Sequence, residues 1–207
     1  MFLLKSGRLL LRHFNSTDRE SLMRVFGDTE VMHFGDGVQT KESVDNWLRA
    51  CLENYQTWGF GPYAALEQSG EQVIGYCGLF YFPDINGRPE VEIGYRLARS
   101  TWGQGYATEA SCLVRDYALD ILNIKRLIAI IDPSNAASIR VAEKIGMRYE
   151  ADVMLEGYSH PDHVYVIESG DFPSQGARKQ QNRTAINDPG YILLSERRPF
   201  ARHFIFK

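Results

Sequence analysis

The sequence has little that would tie it to a metal, an oxidising compartment, a membrane or a nucleic acid. Its three cysteines, Cys51, Cys77 and Cys112, are spread through 207 residues with no CxxC pair. An odd, scattered set builds no disulfide framework and fits a reducing compartment. The three read as small buried apolar residues. The five histidines, His13, His33, His160, His163 and His203, show no ligand spacing such as HExxH, so no metal is expected. No window approaches the roughly 20 apolar residues of a membrane span. The opening Met-Phe-Leu-Leu-Lys-Ser has no apolar run behind its charge, so it is not a signal peptide. A formal net charge of −3 supplies no basic field for nucleic acid. The expectation is a cytoplasmic protein without membrane or nucleic-acid partners. Internal repeats and low-complexity tracts are also missing.

The charge that is present is uneven. From Gly170 onward seven Lys and Arg face three acids, so the tail carries about +4 and the preceding body about −7. An acidic body suits a cationic substrate, and it suits solubility equally. The texture changes at Ser169, where a turn-rich stretch leads into polar and then short apolar-basic runs. Residues 1–168 therefore read as one domain. Residues 169–207 read as a basic extension, disordered, added to a sheet edge or exchanged in a dimer.

Within the body, periodicity sets out an alternating α/β pattern. Arg8–Arg12 is a first strand. Thr17 and Glu20 have capping-box spacing and open a helix with Leu22, Val25 and Phe26 on one face. After the Gly35-Asp36-Gly37 break, Thr40 caps a longer helix through Val44, Trp47, Leu48, Cys51, Leu52 and Tyr55. Strands follow at 63–66, 73–82 and 90–97, with a hairpin turn at 68–71 and a loop at 83–89. These three form an antiparallel meander. A helix over 108–122 leads to the continuous apolar strand 126–131, which fits a parallel βαβ unit. Asn135 starts a further helix that ends before Gly146. Strands at 149–155 and 163–167 close the body.

One stretch organises the rest. Glu92-Ile93-Gly94-Tyr95-Arg96-Leu97 is a strand. Trp102-Gly103-Gln104-Gly105-Tyr106-Ala107-Thr108-Glu109-Ala110 is a glycine turn running into a helix. Such a turn offers backbone N–H groups to a phosphate at a helix N-terminus. A dinucleotide fingerprint needs a third glycine where Thr108 stands, and a Walker loop needs Gly-Lys-Ser/Thr. Neither is present.

The strand, the turn and the later segment Asn135–Gly146 together resemble the GNAT superfamily of acetyl-CoA-dependent N-acetyltransferases. The resemblance runs from Arg8 to about Val166. It is greatest to the RimJ/RimL branch, which acetylates ribosomal-protein N-termini. It implies an α/β fold: a mixed, mostly antiparallel sheet of six or seven strands with helices on both faces. It implies acetyl-CoA as co-substrate. The backbone of Gly103, Gln104, Gly105, Tyr106, Ala107 and Thr108 would wrap the pyrophosphate. Pantetheine would pair with backbone near Tyr95 and Leu97, in a gap between strands 90–97 and 126–131. Asn135 would sit near the pantetheine as well as capping its helix, with Ser138 a weaker contact. Arg96 and Arg99 could add charge at the rim or be solvated surface residues.

Acetyl transfer needs a neutral amine and a polarised thioester carbonyl. By the resemblance, Glu92 is the base that takes the amine proton, directly or through water. It could instead anchor the ammonium or face solvent. Two catalytic positions of relatives are occupied here by Ala142 and Ile130, so no protein acid is assigned to the leaving thiolate. Tyr158 and Tyr165 could reach the site and fit packing roles better; His160-Pro161-Asp162-His163 could line the amine entry and fits a surface turn better. The implied function is transfer of acetyl to a primary amine, either a protein N-terminus or a small molecule. A monomer or homodimer is compatible. A non-catalytic acyl-CoA-binding module is the alternative.

Overall fold

The computed structural model describes residues 3–68 and 72–171. The hairpin turn expected at 68–71 and the extension expected at 169–207 lie largely outside the described residues. Elements follow the chain as β1 (Leu3–Lys5), β2 (Leu9–Arg12), α1 (Arg19–Phe26), α2 (Lys41–Trp58), β3 (Pro62–Glu67), β4 (Val73–Ile85), β5 (Arg88–Leu97), α3 (Tyr106–Asp116), β6 (Arg126–Ile131), α4 (Ala136–Lys144), β7 (Arg148–Val153) and β8 (Asp162–Glu168).

All eight strands form one sheet in the order β1-β2-β3-β4-β5-β6-β8-β7. Every pairing is antiparallel except β5 with β6. That parallel pair follows from α3, which carries the chain back to the start of a neighbouring strand. Strand alternation divides the side chains between two faces. Ile93, Leu127 and Leu79 point to the face covered by α3 and α4, where they meet Ala110, Val114 and Ala142. On the other face α1 and α2 bury Phe26 and Trp47 against Tyr76 and Phe80 of β4. Trp47 is fully buried, edge-on to Phe14 and Phe26 at 5.2 Å each.

Four expectations change. The sheet has eight strands rather than six or seven, because Leu3–Lys5 adds β1 beside β2. The first capping box is two residues earlier: Asn15 Oδ1 accepts from Thr17 N–H at 2.9 Å, and Asp18 Oδ2 accepts from Asn15 N–H at 2.9 Å. The cause is tertiary, since Arg12 grips Asp18 through two 2.7 Å bonds. The loop at 83–89 shrinks to a turn at Asn86 and Gly87, with φ of 51° and 86°. Two left-handed residues suit a tight hairpin, so β4 and β5 run further than expected. The helix expected at 108–122 starts at Tyr106 and loosens into a π turn, in which Leu122 N–H reaches Tyr117 C=O at 3.0 Å.

Candidate active site

β5 and β6 share one register pair, Glu92 with Ile128, and then part. The gap that opens is lined by Ile93, Gly94 and Tyr95 on one side and Ala129–Ile131 on the other. α4 closes it with Asn135, Ser138 and Ala142. Each lining group has a local reason for its place. Asn135 caps α4, its Oδ1 accepting from Ser138 N–H at 3.1 Å. The Ser138 hydroxyl in turn lies 3.1 Å from the Tyr95 hydroxyl. That contact joins β5 to α4 across the cleft, and burial pushes Tyr95 up to about 12.

Glu92 reaches across the start of the opening. Its Oε1 accepts from the Ile130 backbone N–H at 3.0 Å, a donor the parted β5 backbone leaves without a ladder partner. The residue is 5% exposed. Its carboxyl is held at about 8: burial raises it most, the Ile130 N–H lowers it, and the charge of Asp162 adds a further rise. Glu90, two residues earlier on the same face, is equally buried yet meets Arg88 at 2.7 Å and Arg126 at 3.0 Å. Among the described residues Glu92 forms no ion pair. A structural glutamate in this sheet therefore looks like Glu90, and Glu92 is the exception, a buried carboxyl with a raised proton affinity.

The glycine turn stands at the far end of β5. Gly103 and Gly105 have φ of 72° and 82°, in the region that favours glycine. A Cβ on Gly103 would meet nothing within 4 Å, so the backbone here is open to a ligand. Gly105 caps α3, whose first N–H groups have no intrahelical acceptor. Trp102 is anchored by its indole N–H, which donates to the Leu97 C=O at 2.9 Å.

The structure brings Glu92, Tyr95 and Asn135 to one cleft, and Gly103, Gln104, Gly105, Tyr106, Ala107 and Thr108 to one turn. The Leu97 side chain is buried in the core under α3, and its carbonyl accepts from the Trp102 indole. Arg96 is not at the rim. Alternation turns it to the opposite face, 4% exposed, where its guanidinium lies against Met32 Sδ at 2.8 Å. Arg99 is exposed and pairs with Asp28 at 3.4 Å. Tyr158 donates to Asp36 at 3.1 Å and is pushed up to about 12 by burial and by that acid. Tyr165 packs on the α3–α4 face. Ile130 serves through its backbone N–H rather than its side chain.

Sequence reasoning ranked the His160–His163 segment as a surface turn ahead of a lining of the amine entry; its Asp162 is 1% exposed and charges the surroundings of Glu92. His160 lies between Asp132, at 3.4 Å, and Asp162, at 3.8 Å. The three donor groups lie within 4.8 Å of one another. The signal was thin: one acid at a strand start and a His-Pro-Asp-His turn. Among the described residues no helix is long and apolar enough to cross a membrane.

A sheet opened between two parallel strands, with a glycine turn at one end and a buried carboxyl within, is the framework of an acyl-CoA-dependent transferase. The model of the acetyltransferase (GNAT) domain matches residues 8–148. The chain is 34% identical over 163 residues to the uncharacterized protein YkkB of Bacillus subtilis, covering 78% of this chain and 93% of YkkB. It is 37% identical over 129 residues to the spermidine N(1)-acetyltransferase of Escherichia coli, covering 62% and 64% of the two chains. The crystal structure of an acetyltransferase from Agrobacterium tumefaciens superposes with a TM-score of 0.70 at 27% identity, covering 81% of this chain and 95% of that one. The chain belongs to the GNAT family of N-acetyltransferases, enzymes that use acetyl-CoA.

Proposed function

We propose that the cleft between β5 and β6 takes the pantetheine arm of acetyl-CoA and that the backbone from Gly103 to Thr108 takes its pyrophosphate. The protein then moves the acetyl group to a primary amine by direct attack, with Glu92 as the base. The observation that carries this reading is the Glu92 carboxyl: buried, without an ion pair among the described residues, and held at about 8 beside the gap.

The amine nitrogen attacks the thioester carbonyl and loses a proton to the Glu92 carboxylate. The tetrahedral intermediate collapses, the C–S bond breaks, and CoA leaves as a thiolate. A thiol with a pKa of about 8.5 leaves without a dedicated protein acid, and water or the protonated Glu92 returns the proton. One backbone N–H of the Ile93–Tyr95 stretch, which lines the cleft, would hold the developing oxyanion. The Tyr95 and Asn135 side chains hold the pantetheine channel open at its β5 and α4 walls.

For the acceptor, Asp162 and Asp132 near Glu92 and Asp36 over the same face favour a cationic amine. The likeness to a spermidine acetyltransferase supports a small polyamine, and the RimJ/RimL resemblance supports a peptide N-terminus. Residues 1–168 are the catalytic domain in this reading.

A panel of polyamines, amino sugars and free-N-terminus peptides, read by thiol release from acetyl-CoA, tests the proposal. At least one amine is expected to turn over, with Glu92→Gln lowering its rate by about 10²-fold or more. If Glu92→Gln matches wild type on every accepted amine, the base assignment is wrong. If acetyl-CoA binds and no amine turns over, the chain is an acyl-CoA-binding module instead.

A further inference from the structure

The glycine turn is gripped from outside by a residue nearly a hundred positions earlier. Arg8, on the segment between β1 and β2, donates through one guanidinium nitrogen to the Gln104 C=O at 2.9 Å. Its other guanidinium N–H groups reach Glu109 Oε2 at 2.8 and 2.5 Å. The Arg8 backbone N–H and the Ser6 hydroxyl both donate to Glu109 Oε1, at 3.1 and 2.5 Å. The guanidinium also lies 4.5 Å from the Tyr106 ring centroid, within cation–π range. So one side chain touches the turn at Gln104, the first residue of α3 at Tyr106 and the first helical turn at Glu109.

Two consequences follow. The first is orientation. The peptide linking Gln104 to Gly105 is trans and planar, so its C=O and N–H point in opposite directions. With the carbonyl drawn to Arg8, the Gly105 N–H points away from Arg8. It and the first N–H groups of α3, which lack intrahelical acceptors, are then the donors available to an anion. The second is charge. Glu109 is an acid in the first turn of the helix whose N-terminus would hold a pyrophosphate. Alone, it would repel that ligand. Arg8 neutralises it.

We propose that Arg8 and Glu109 are a positioning pair for the pyrophosphate turn: Arg8 sets the Gln104–Gly105 peptide and screens the Glu109 carboxylate from the bound anion. The inference rests on the acetyl-CoA reading above and adds to it a residue that touches no reacting atom.

The test uses the full chain and two acetyl donors, acetyl-CoA and S-acetylpantetheine, which lacks the pyrophosphate. Arg8→Gln is expected to raise KM for acetyl-CoA about tenfold or more, the scale of a lost charge-assisted bond. The kcat is expected to stay within about twofold, and kcat/KM for S-acetylpantetheine is expected to stay unchanged. The double variant Arg8→Gln/Glu109→Gln removes the repulsion and recovers part of the acetyl-CoA affinity. An Arg8→Gln enzyme with wild-type KM for acetyl-CoA overturns the proposal. So does an equal loss on both donors, which a merely structural clasp would give. Should Arg8→Gln not fold, Glu109→Gln decides: KM for acetyl-CoA that falls or holds supports the charge argument, and a tenfold rise overturns it. A wild-type protein that binds no acetyl-CoA refutes the reading beneath, whereas an active wild type makes every Arg8 result bear on Arg8 alone.

Discussion

The Glu92 carboxylate accepts a hydrogen bond from the Ile130 backbone N–H at 3.0 Å, across the point where β5 and β6 separate. This contact does two things at once. It satisfies a strand N–H that the opening deprives of a ladder partner, and it fixes a carboxyl beside the cleft proposed to take acetyl-CoA. Because the donor is a neutral N–H rather than a cation, it lowers the carboxyl only partly, and burial keeps it at about 8.

The pH profile of turnover follows. With a saturating acetyl donor and one amine, kcat/KM rises with pH through about 8 as Glu92 loses its proton. Glu92→Gln lowers the rate and removes that limb, leaving only the titration of the amine. An unchanged profile in the variant would show that the limb belongs to the substrate.

Stability should move the opposite way with pH. Glu92 has a folded-state value near 8, above its unfolded value of 4.5. Its contribution is therefore fully present below 4.5 and is lost as pH rises through 8, by up to roughly 5 kcal/mol. Glu92→Gln lacks this dependence. Melting temperatures at pH 5.5, 7 and 8.5 are expected to show wild type losing ground to Glu92→Gln across the series. Parallel curves would place the carboxyl near its ordinary value.

Gly105 at φ of 82° starts α3 in a left-handed conformation. Gly105→Ala is expected to cost about 1–2 kcal/mol from backbone strain. It is also expected to halve, or worse, the thermal shift given by acetyl-CoA. A variant that melts lower but keeps the full ligand-induced shift would separate the turn's conformation from binding.

Asn135 has a structural and a proposed binding role, and two substitutions divide them. Asn135→Ala loses the cap on Ser138 N–H and about 1 kcal/mol of stability. Asn135→Ser keeps a cap and recovers most of it. If the side chain also touches pantetheine, both variants raise KM for acetyl-CoA. Restoration of KM by serine would leave Asn135 as a cap alone.

Trp47→Ala tests the opposite face. It removes a fully buried indole from the α1–α2 layer and is expected to destabilise by about 3–5 kcal/mol in denaturant unfolding. KM for acetyl-CoA in the remaining folded protein should be unaffected, since Trp47 lies on the far side of the sheet from α3 and α4.

The features the sequence determined are local ones. Gly103 and Gly105 announce a turn because few other residues hold positive φ. Asn135 announces a helix start because its side chain serves an N–H three residues on. The alternation in β5 and the apolar run of β6 announce a meander leading into a βαβ unit. These signals rest on contacts a few residues apart, so one chain segment suffices to express them.

Tertiary structure decided what those pieces become. Glu90 and Glu92 are the same residue type on one strand face. Arg88 beside it and Arg126, 36 positions away, make the first a paired structural acid. Only the parting of β5 from β6 makes the second a buried carboxyl with a raised proton affinity. Arg96 was legible as a cation near the turn, yet pleating turned it to the other face. Arg8 was legible as the edge of a strand, and its grip on Gln104 and Glu109 spans 96 and 101 positions. Proton affinity and ligand geometry depend on which distant groups remove water and supply charge, and those groups are gathered only when the sheet forms.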